Sequence, residues 1–378
     1  MSHAHNPDRF IVVVLIGIIA TAITVPRSFA VEENPVGGVY ALSKGDAPIA
    51  QVVFDNPNVD GDALRFFWNA IEPGDGVFNW APIDEGIQNA RAHGKKVALS
   101  ITAGIRSPAW LYADGASAFT FTWTKSWGPP PCSQQRIPIP WDPVFLSKWQ
   151  AFVQALGARY NSNPAVTIVK LTGLNTASEE TNLPRNQARQ TEQARIRTCA
   201  ESDSDAEWEQ VGYSPNKVLG AWRTIISAWA QALTNKKLAL MITPAGFPSM
   251  GGGFGSMAGG FGRRQSASSR LVNQIIQESA NTLGARFIVQ NNGLSAKWNW
   301  TPKMQVNFGY QMLWSVSGDP RCRMNHFEAP CDPHEVLQAA LSRGVDAGAT
   351  YIEVYIPDLL NPQMQDVLAQ AHASLANR

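Results

Sequence analysis

Along most of the 378-residue chain, short apolar runs alternate with longer stretches whose apolar positions recur at helical spacing. Ala50–Phe54 and Ala63–Trp68 read as strands; Pro82–His93 follows with Ile83, Ile87 and Ala90 on one face and stops at Gly94. Lys96–Thr102 is apolar and β-branched, the composition of a buried strand. Asp142-Pro143 then opens a helix whose face is Phe145, Trp149, Phe152, Leu156 and Tyr160. The alternation continues with strands predicted over Thr167–Leu171, Leu238–Thr243, Arg286–Gln290, Gln305–Leu313 and Thr350–Ile356. Helices are predicted over Val218–Leu233, Arg270–Leu283 and Pro333–Val345, the last opening with Asp332 as cap, Pro333 at the first helical position and Glu335 at the third.

Strands that alternate with helices and read as nearly continuous apolar runs imply a parallel sheet covered by helices. The count of strands and the chain length point to the α/β class, a (β/α)8 TIM barrel with long loops on its C-terminal face, occupying residues 31–378 as one domain. One step fits poorly, because Asp55 to Asp62 is too short for the crossover that parallel neighbours require. A doubly wound open sheet is the structural alternative, and the lack of a GxGxxG after an early strand counts against it. Three long insertions, Gly104–Pro140, Asn175–Ser214 and Ala245–Ser269, follow strands and so belong to the end where barrel enzymes hold their active sites. The third is glycine-rich without the Lys-Ser/Thr ending of a phosphate loop, and reads as a lid or plain flexible loop.

The first 30 residues read as an address. Arg9 precedes the apolar run Phe10–Ala20, and Ser28-Phe29-Ala30 offers small residues for cleavage, so residues 1–30 are expected to be a signal peptide. An uncleaved anchor is the alternative, although Thr21, Thr24 and Pro26-Arg27 interrupt the roughly 20 apolar residues a span needs. A secreted or periplasmic protein with no stable membrane span after cleavage follows. In such a compartment the four cysteines are expected as disulfides, Cys322 with Cys331 across a short loop and Cys132 with Cys199. No CxxC occurs, so neither a metal nor an organic cofactor is expected. A formal net charge of +1 with 16% charged residues offers no basic surface for nucleic acid. The 13 Trp residues imply either a bulky core or flat platforms for hydroxyl-bearing ligands.

With no HExxH or GxSxG, the remaining chemistry lies in carboxylates beside aromatics at strand ends. Leu64-Arg65 with Trp68, Glu72-Pro73, Phe78 and Trp80, followed by Asp84 and then Val97–Gly104 with Ser107-Pro108-Ala109-Trp110, resembles the second and third strand regions of the clan A-like (β/α)8 glycoside hydrolases. The resemblance implies a general acid/base Glu after the fourth strand, usually next to an Asn. Here Asn175 is followed by Glu179 and Glu180, and alternation along an extended chain would turn only one of them to the pocket, Glu180 being favoured. It also implies a nucleophilic Glu on the seventh strand, where this chain has Gln311 between Tyr310 and Trp314. Glu353, sharing one face of the eighth strand with Tyr351 and Tyr355, is the replacement candidate; a structural ion pair with Arg65 is its alternative role. Asp358 is a weaker one, with turn capping as its alternative.

Sugar binding would fall to Trp68, Trp110, Trp298 and Trp314 as stacking faces, with Asp55, Arg65, Glu72, Asn175, Asn291, Tyr310, Gln311 and Tyr355 completing the site. The expectation is hydrolysis of O-glycosidic bonds in an oligosaccharide or polysaccharide by one protonated and one ionised carboxyl. The main rival, favoured by Gln311, is a barrel that binds or presents a glycan without cleaving it. A structural protein without a sugar site would leave these acids and aromatics scattered.

Overall fold

The computed structural model describes residues 1–2, 36–43, 47–125, 127–185, 199, 204–244, 246–248, 266–301, 304–319, 321–329, 331–376 and 378. The expected signal peptide and most of the glycine-rich insertion lie outside them. Among the described residues, no helix is long and apolar enough to cross a membrane. The strands are β1 Gly38–Leu42, β2 Gly61–Phe67, β3 Lys96–Thr102, β4 Ala118–Thr122, β5 Gln134–Pro138, β6 Val166–Lys170, β7 Lys237–Ile242, β8 Phe287–Leu294, β9 Asn307–Met312 and β10 Ala349–Tyr355. All but β4 and β5 close a parallel barrel in the order β1-β10-β9-β8-β7-β6-β3-β2. The protein is therefore a (β/α)8 TIM barrel, as its alternation of periods predicts.

The first barrel strand is not where the apolar pattern put it. Ala50–Phe54 contributes only a helical turn, Gln51–Phe54, with Val53 and Phe54 buried and Val52 exposed. The strand is Gly38–Leu42, buried throughout and paired on both sides, Tyr40 opposite Glu353 and Ala41 opposite Asp62. Its length supplies no alternation to read, and the preceding glycines look like loop. The shift removes the crossover problem, because the chain from Ser43 to Asp60 now joins β1 to β2. Trp68, read as the end of the second strand, instead begins the turn Trp68–Ile71.

The predicted helices form with their expected caps. Asp142 accepts from Phe145 N, and Asp332 accepts from Glu335 N at 3.1 Å. Trp68 lies beneath the helix Pro143–Tyr160, its ring centroid 4.9 Å from Trp149 and 5.9 Å from Phe152. Six of the 13 Trp side chains are fully buried and Trp80, Trp110, Trp141 and Trp300 pack partly buried against the same core, so the tryptophan excess is largely core. The insertion after β3 folds into an antiparallel hairpin of β4 and β5, with Phe119 stacked on Trp208 at 3.6 Å. Cys132 joins Cys199 and Cys322 joins Cys331, with Cα separations of 5.3 and 5.4 Å.

Inside the barrel, Tyr40, Ala98, Ile168, Ala239, Ile288 and Tyr351 make an apolar layer. Gly61 and Gly309 make room for its two rings: a Cβ at either would stand 2.5 Å from Tyr40 or Tyr351. Asp62 is the exception to good burial practice. Its register opposite Val97 turns it outward under the helices, fully buried, with neither carboxylate oxygen hydrogen-bonded. Burial raises its pKa from 3.8 to about 8, with Lys95 pulling weakly the other way. A carboxyl raised on folding contributes stability below its unfolded value, and that contribution is lost as pH climbs toward 8. At pH 7 the raised value alone amounts to about 4 kcal/mol. Asp62→Asn should therefore stabilise the fold at pH 7 by about 2 kcal/mol, the rest offset by an added unpaired N–H. Denaturant unfolding should show this gain shrinking toward pH 4; a gain that does not depend on pH contradicts the assignment.

Candidate active site

Two residues further along most of the strands, Leu42 on β1 and Met241 on β7 excepted, the barrel interior changes from apolar to polar. The parity that turns Tyr40, Ala98, Ile168, Ile288 and Tyr351 inward also turns in Arg65, Ser100, Lys170, Gln290, Gln311 and Glu353, at the C-terminal end. Lys170, which sequence reading passed over, is the hub. Its Nζ donates to the Glu353 carboxylate, to the side-chain oxygen Oε1 of Gln290 and, at 2.9 Å, to the Tyr351 hydroxyl. Gln290 Nε2 donates to the other Glu353 oxygen at 3.0 Å and to Asn292 Oδ1 at 2.9 Å. Lys170, Gln290 and Glu353 are all fully buried. Burial pushes the Glu353 carboxyl above its ordinary value against the pull of the Lys170 ammonium, and the charge of Glu179 adds to the rise. Both Glu353 oxygens are thus committed within the protein, and its ion-pair partner is Lys170 in place of the Arg65 expected from sequence.

Arg65 serves Glu179. Its Nη1 lies 3.3 Å from Glu179 Oε1, and its Nη2 donates to the Ser43 carbonyl. Glu180 accepts from Ser178 Oγ at 3.2 Å; burial raises its carboxyl, while Lys125 pulls it down. The segment Ser178–Glu180 is a bend, so the alternation assumed for an extended pair does not operate. Burial raises the Tyr355 hydroxyl, Arg65 pulls it down, and the charges of Glu353, Glu179 and Glu180 add to the rise. Tyr355 in turn accepts from Gln311 Nε2 at 3.4 Å.

Several polar atoms here are buried and unpartnered among the described residues: both amide atoms of Asn175, Glu179 Oε2, Gln311 Oε1 and Arg65 Nε. Each such atom costs about 1–3 kcal/mol when left unpaired. Buried polar atoms left without a protein partner are completed by water, an ion or a ligand.

Other predicted site residues lie elsewhere. Asp55 is exposed beside the loop that Lys95 ties down through the Asn56 and Val59 carbonyls, at the N-terminal end of the barrel. The segment Ala50–Phe54 that would carry it to the mouth as a strand is instead a helical turn. Trp68 is core, and Glu72 is committed to it: Glu72 Oε2 accepts from the Trp68 indole at 2.7 Å and Oε1 from Gly76 N at 2.9 Å. Trp110 donates to the Glu72 carbonyl at 2.8 Å and is half-buried. Tyr310 and Asn291 face outward, paired with each other across β9 and β8; the inward neighbours are Gln311 and Gln290. Asp358 closes the loop after β9 by accepting from Ser315 Oγ, Val316 N and Ser317 N at 2.7, 3.0 and 2.8 Å. Trp298 and Trp314 are 40% and 39% exposed, with the Arg323 guanidinium over the Trp314 ring at 4.3 Å.

Residues 62–181 match the family model described as a β-galactosidase of the glycoside hydrolases, an interval running from β2 through both glutamates of the fourth-strand loop. Among solved structures, the catalytic domain of a β-amylase from Paenibacillus polymyxa is similar over 90% of this chain and 98% of its own, at 10% identity and a TM-score of 0.57. A β-galactosidase from the psychrophilic Marinomonas ef1 is similar over 89% of this chain at 12% identity and a TM-score of 0.51; the chain spans 59% of its length. No curated protein matches the sequence. The family match is confined to residues 62–181, and what the solved structures share with this chain is the (β/α)8 barrel.

Proposed function

We propose that the protein hydrolyses O-glycosidic bonds of an oligosaccharide or polysaccharide, with Glu179 and Glu180 as its two carboxyls. The observation that carries this reading is the buried, uncommitted Glu179 oxygen beside a second carboxyl whose proton affinity burial raises. Glu180 donates its proton to the glycosidic oxygen as the C–O bond breaks. Glu179, held by Arg65, either attacks the anomeric carbon or takes a proton from the attacking water, and the elements of one water molecule end on the two sugars. Asn175 and Gln311 present amides to hydroxyls of the bound ring, and Lys170 with Glu353 forms the floor beneath it. The export signal and disulfides fit an enzyme acting outside the cytoplasm.

Gln311, where the clan A pattern has a carboxylate, favours a second reading in which the barrel binds a glycan without cleaving it. A screen of purified protein against aryl glycosides and plant or bacterial oligosaccharides decides between them when Glu180→Gln is run alongside. Hydrolysis predicts that on oligosaccharides, whose leaving group needs a proton, Glu180→Gln loses about 100-fold or more in turnover while keeping ligand affinity. Glycan binding with no turnover in either protein would establish the second reading.

A further inference from the structure

The insertion after β3 leaves two arginines at one corner of the mouth without counter-ions. Arg106, in the short turn Gly104–Arg106 that leaves β3, lies over the Phe67 ring at 4.1 Å. Phe67 is the last residue of β2, two beyond Arg65 on its inward face and opposite Thr102, so this guanidinium caps the rim of the barrel. Arg136, on β5 of the hairpin that packs against the same turn, lies over the Tyr112 ring at 4.1 Å.

Neither guanidinium has a carboxylate or carbonyl partner among the described residues, and Arg106 Nε is buried with none. The contrast with the other cations near the mouth is clear. Arg65 is paired with Glu179, Lys170 with Glu353, and Lys125 feels Glu180. Stacking on an aromatic ring holds a guanidinium flat and leaves its N–H edge outward, the arrangement that binds an anionic oxygen pair in two parallel hydrogen bonds. Arg136 is exposed and solvated, but leaving the half-buried Arg106 charge unpaired is unfavourable unless a ligand pairs it.

We propose that Arg106, with Arg136 beside it, forms an anion subsite, and that the glycan taken by this barrel carries an anionic group on a sugar next to the cleaved bond. The shared chemistry is a pair of anionic oxygens, either a uronic acid carboxylate or a sulfate ester. This rests on the proposed glycan-directed reading, but its test reads charge preference and needs no turnover.

The experiment measures binding by calorimetry, and hydrolysis where it occurs, for three matched sets of oligosaccharides: neutral, uronic acid-containing and sulfated. They are run with the wild-type protein, Arg106→Gln and Arg136→Gln. The wild type should bind one anionic set at least tenfold more tightly than the neutral set, and added salt should narrow that gap. Arg106→Gln should lower the anionic-to-neutral affinity ratio about tenfold and Arg136→Gln about threefold. The set that shows the preference identifies the anion. Equal wild-type affinity for all sets, or an Arg106→Gln effect of the same size on neutral and anionic ligands, overturns the proposal. Charge-selective binding with no cleavage would keep the subsite and remove the hydrolase reading, whereas cleavage without charge preference would do the reverse.

Discussion

Lys170→Met should destabilise the protein by about 3–5 kcal/mol, because it removes one half of a fully buried ion pair and leaves the other half charged in the barrel. Glu353 would keep only the Gln290 amide, and Tyr351 would lose its 2.9 Å contact with the ammonium. The pH dependence carries a sign. Burial already raises the Glu353 carboxyl, and without Lys170 its main opponent is gone, leaving the Arg65 charge and the Gln290 amide. A carboxyl raised on folding loses its stabilising contribution as pH increases, so the Lys170→Met deficit should be smaller near pH 4 than near pH 8. Pairing the change with Glu353→Gln, which removes the orphaned charge, should recover a large part of the loss. Urea titrations of the two single variants and the double variant supply the cycle. A double variant as unstable as the sum of the singles would show that the two side chains do not act as a pair.

The second large effect is catalytic. Glu179→Gln should lower turnover about 1,000-fold, equivalent to about 4 kcal/mol of transition-state stabilisation, on every substrate. Glu180→Gln should behave differently, since a general acid matters only when the leaving group needs a proton. Aryl glycosides with acidic phenols should retain much of their rate in Glu180→Gln, and alkyl or sugar leaving groups should lose it. The wild-type rate should also fall as pH rises past the elevated Glu180 value, and Glu180→Gln should lack that limb. Equal losses in the two variants across leaving groups would dismantle the division of roles between the adjacent glutamates.

The Lys170 network explains why a seventh-strand glutamine is tolerated at the centre of this barrel. Gln311 and Glu353 stand opposite each other in register, and a carboxylate at both positions would set two like charges in one buried layer. With Gln311 neutral, the single Lys170 ammonium balances Glu353 and Arg65 balances Glu179. Each of these two charges is thus balanced by a neighbour, and among the described residues Glu179 keeps one buried oxygen, Oε2, without a partner.

Much of this was legible in the chain. The alternation of periods, the Asp-Pro helix openings and the even cysteine count depend on residues close in sequence or on composition, so strands β2, β3 and β6 to β10 and the helices between them could be predicted within a few residues. The fourth-strand glutamates were legible too, as acids placed after a buried strand. What the pattern did not reveal was set by closure. Gly38–Leu42 is a strand because β10 and β2 hold it on either side, not because of any periodicity within it. Which residue faces inward changes with a one-residue error in register, which puts Asn291 in the place that Gln290 fills; Asp55 goes to the wrong end because Ala50–Phe54 is a helical turn and the strand lies at Gly38–Leu42. The partner of Glu353 lies 183 positions away, and no local signal marks Lys170 as anything but a charge at a strand terminus. Only a ring of strands closed on itself brings them together in a space too dry for either to remain alone.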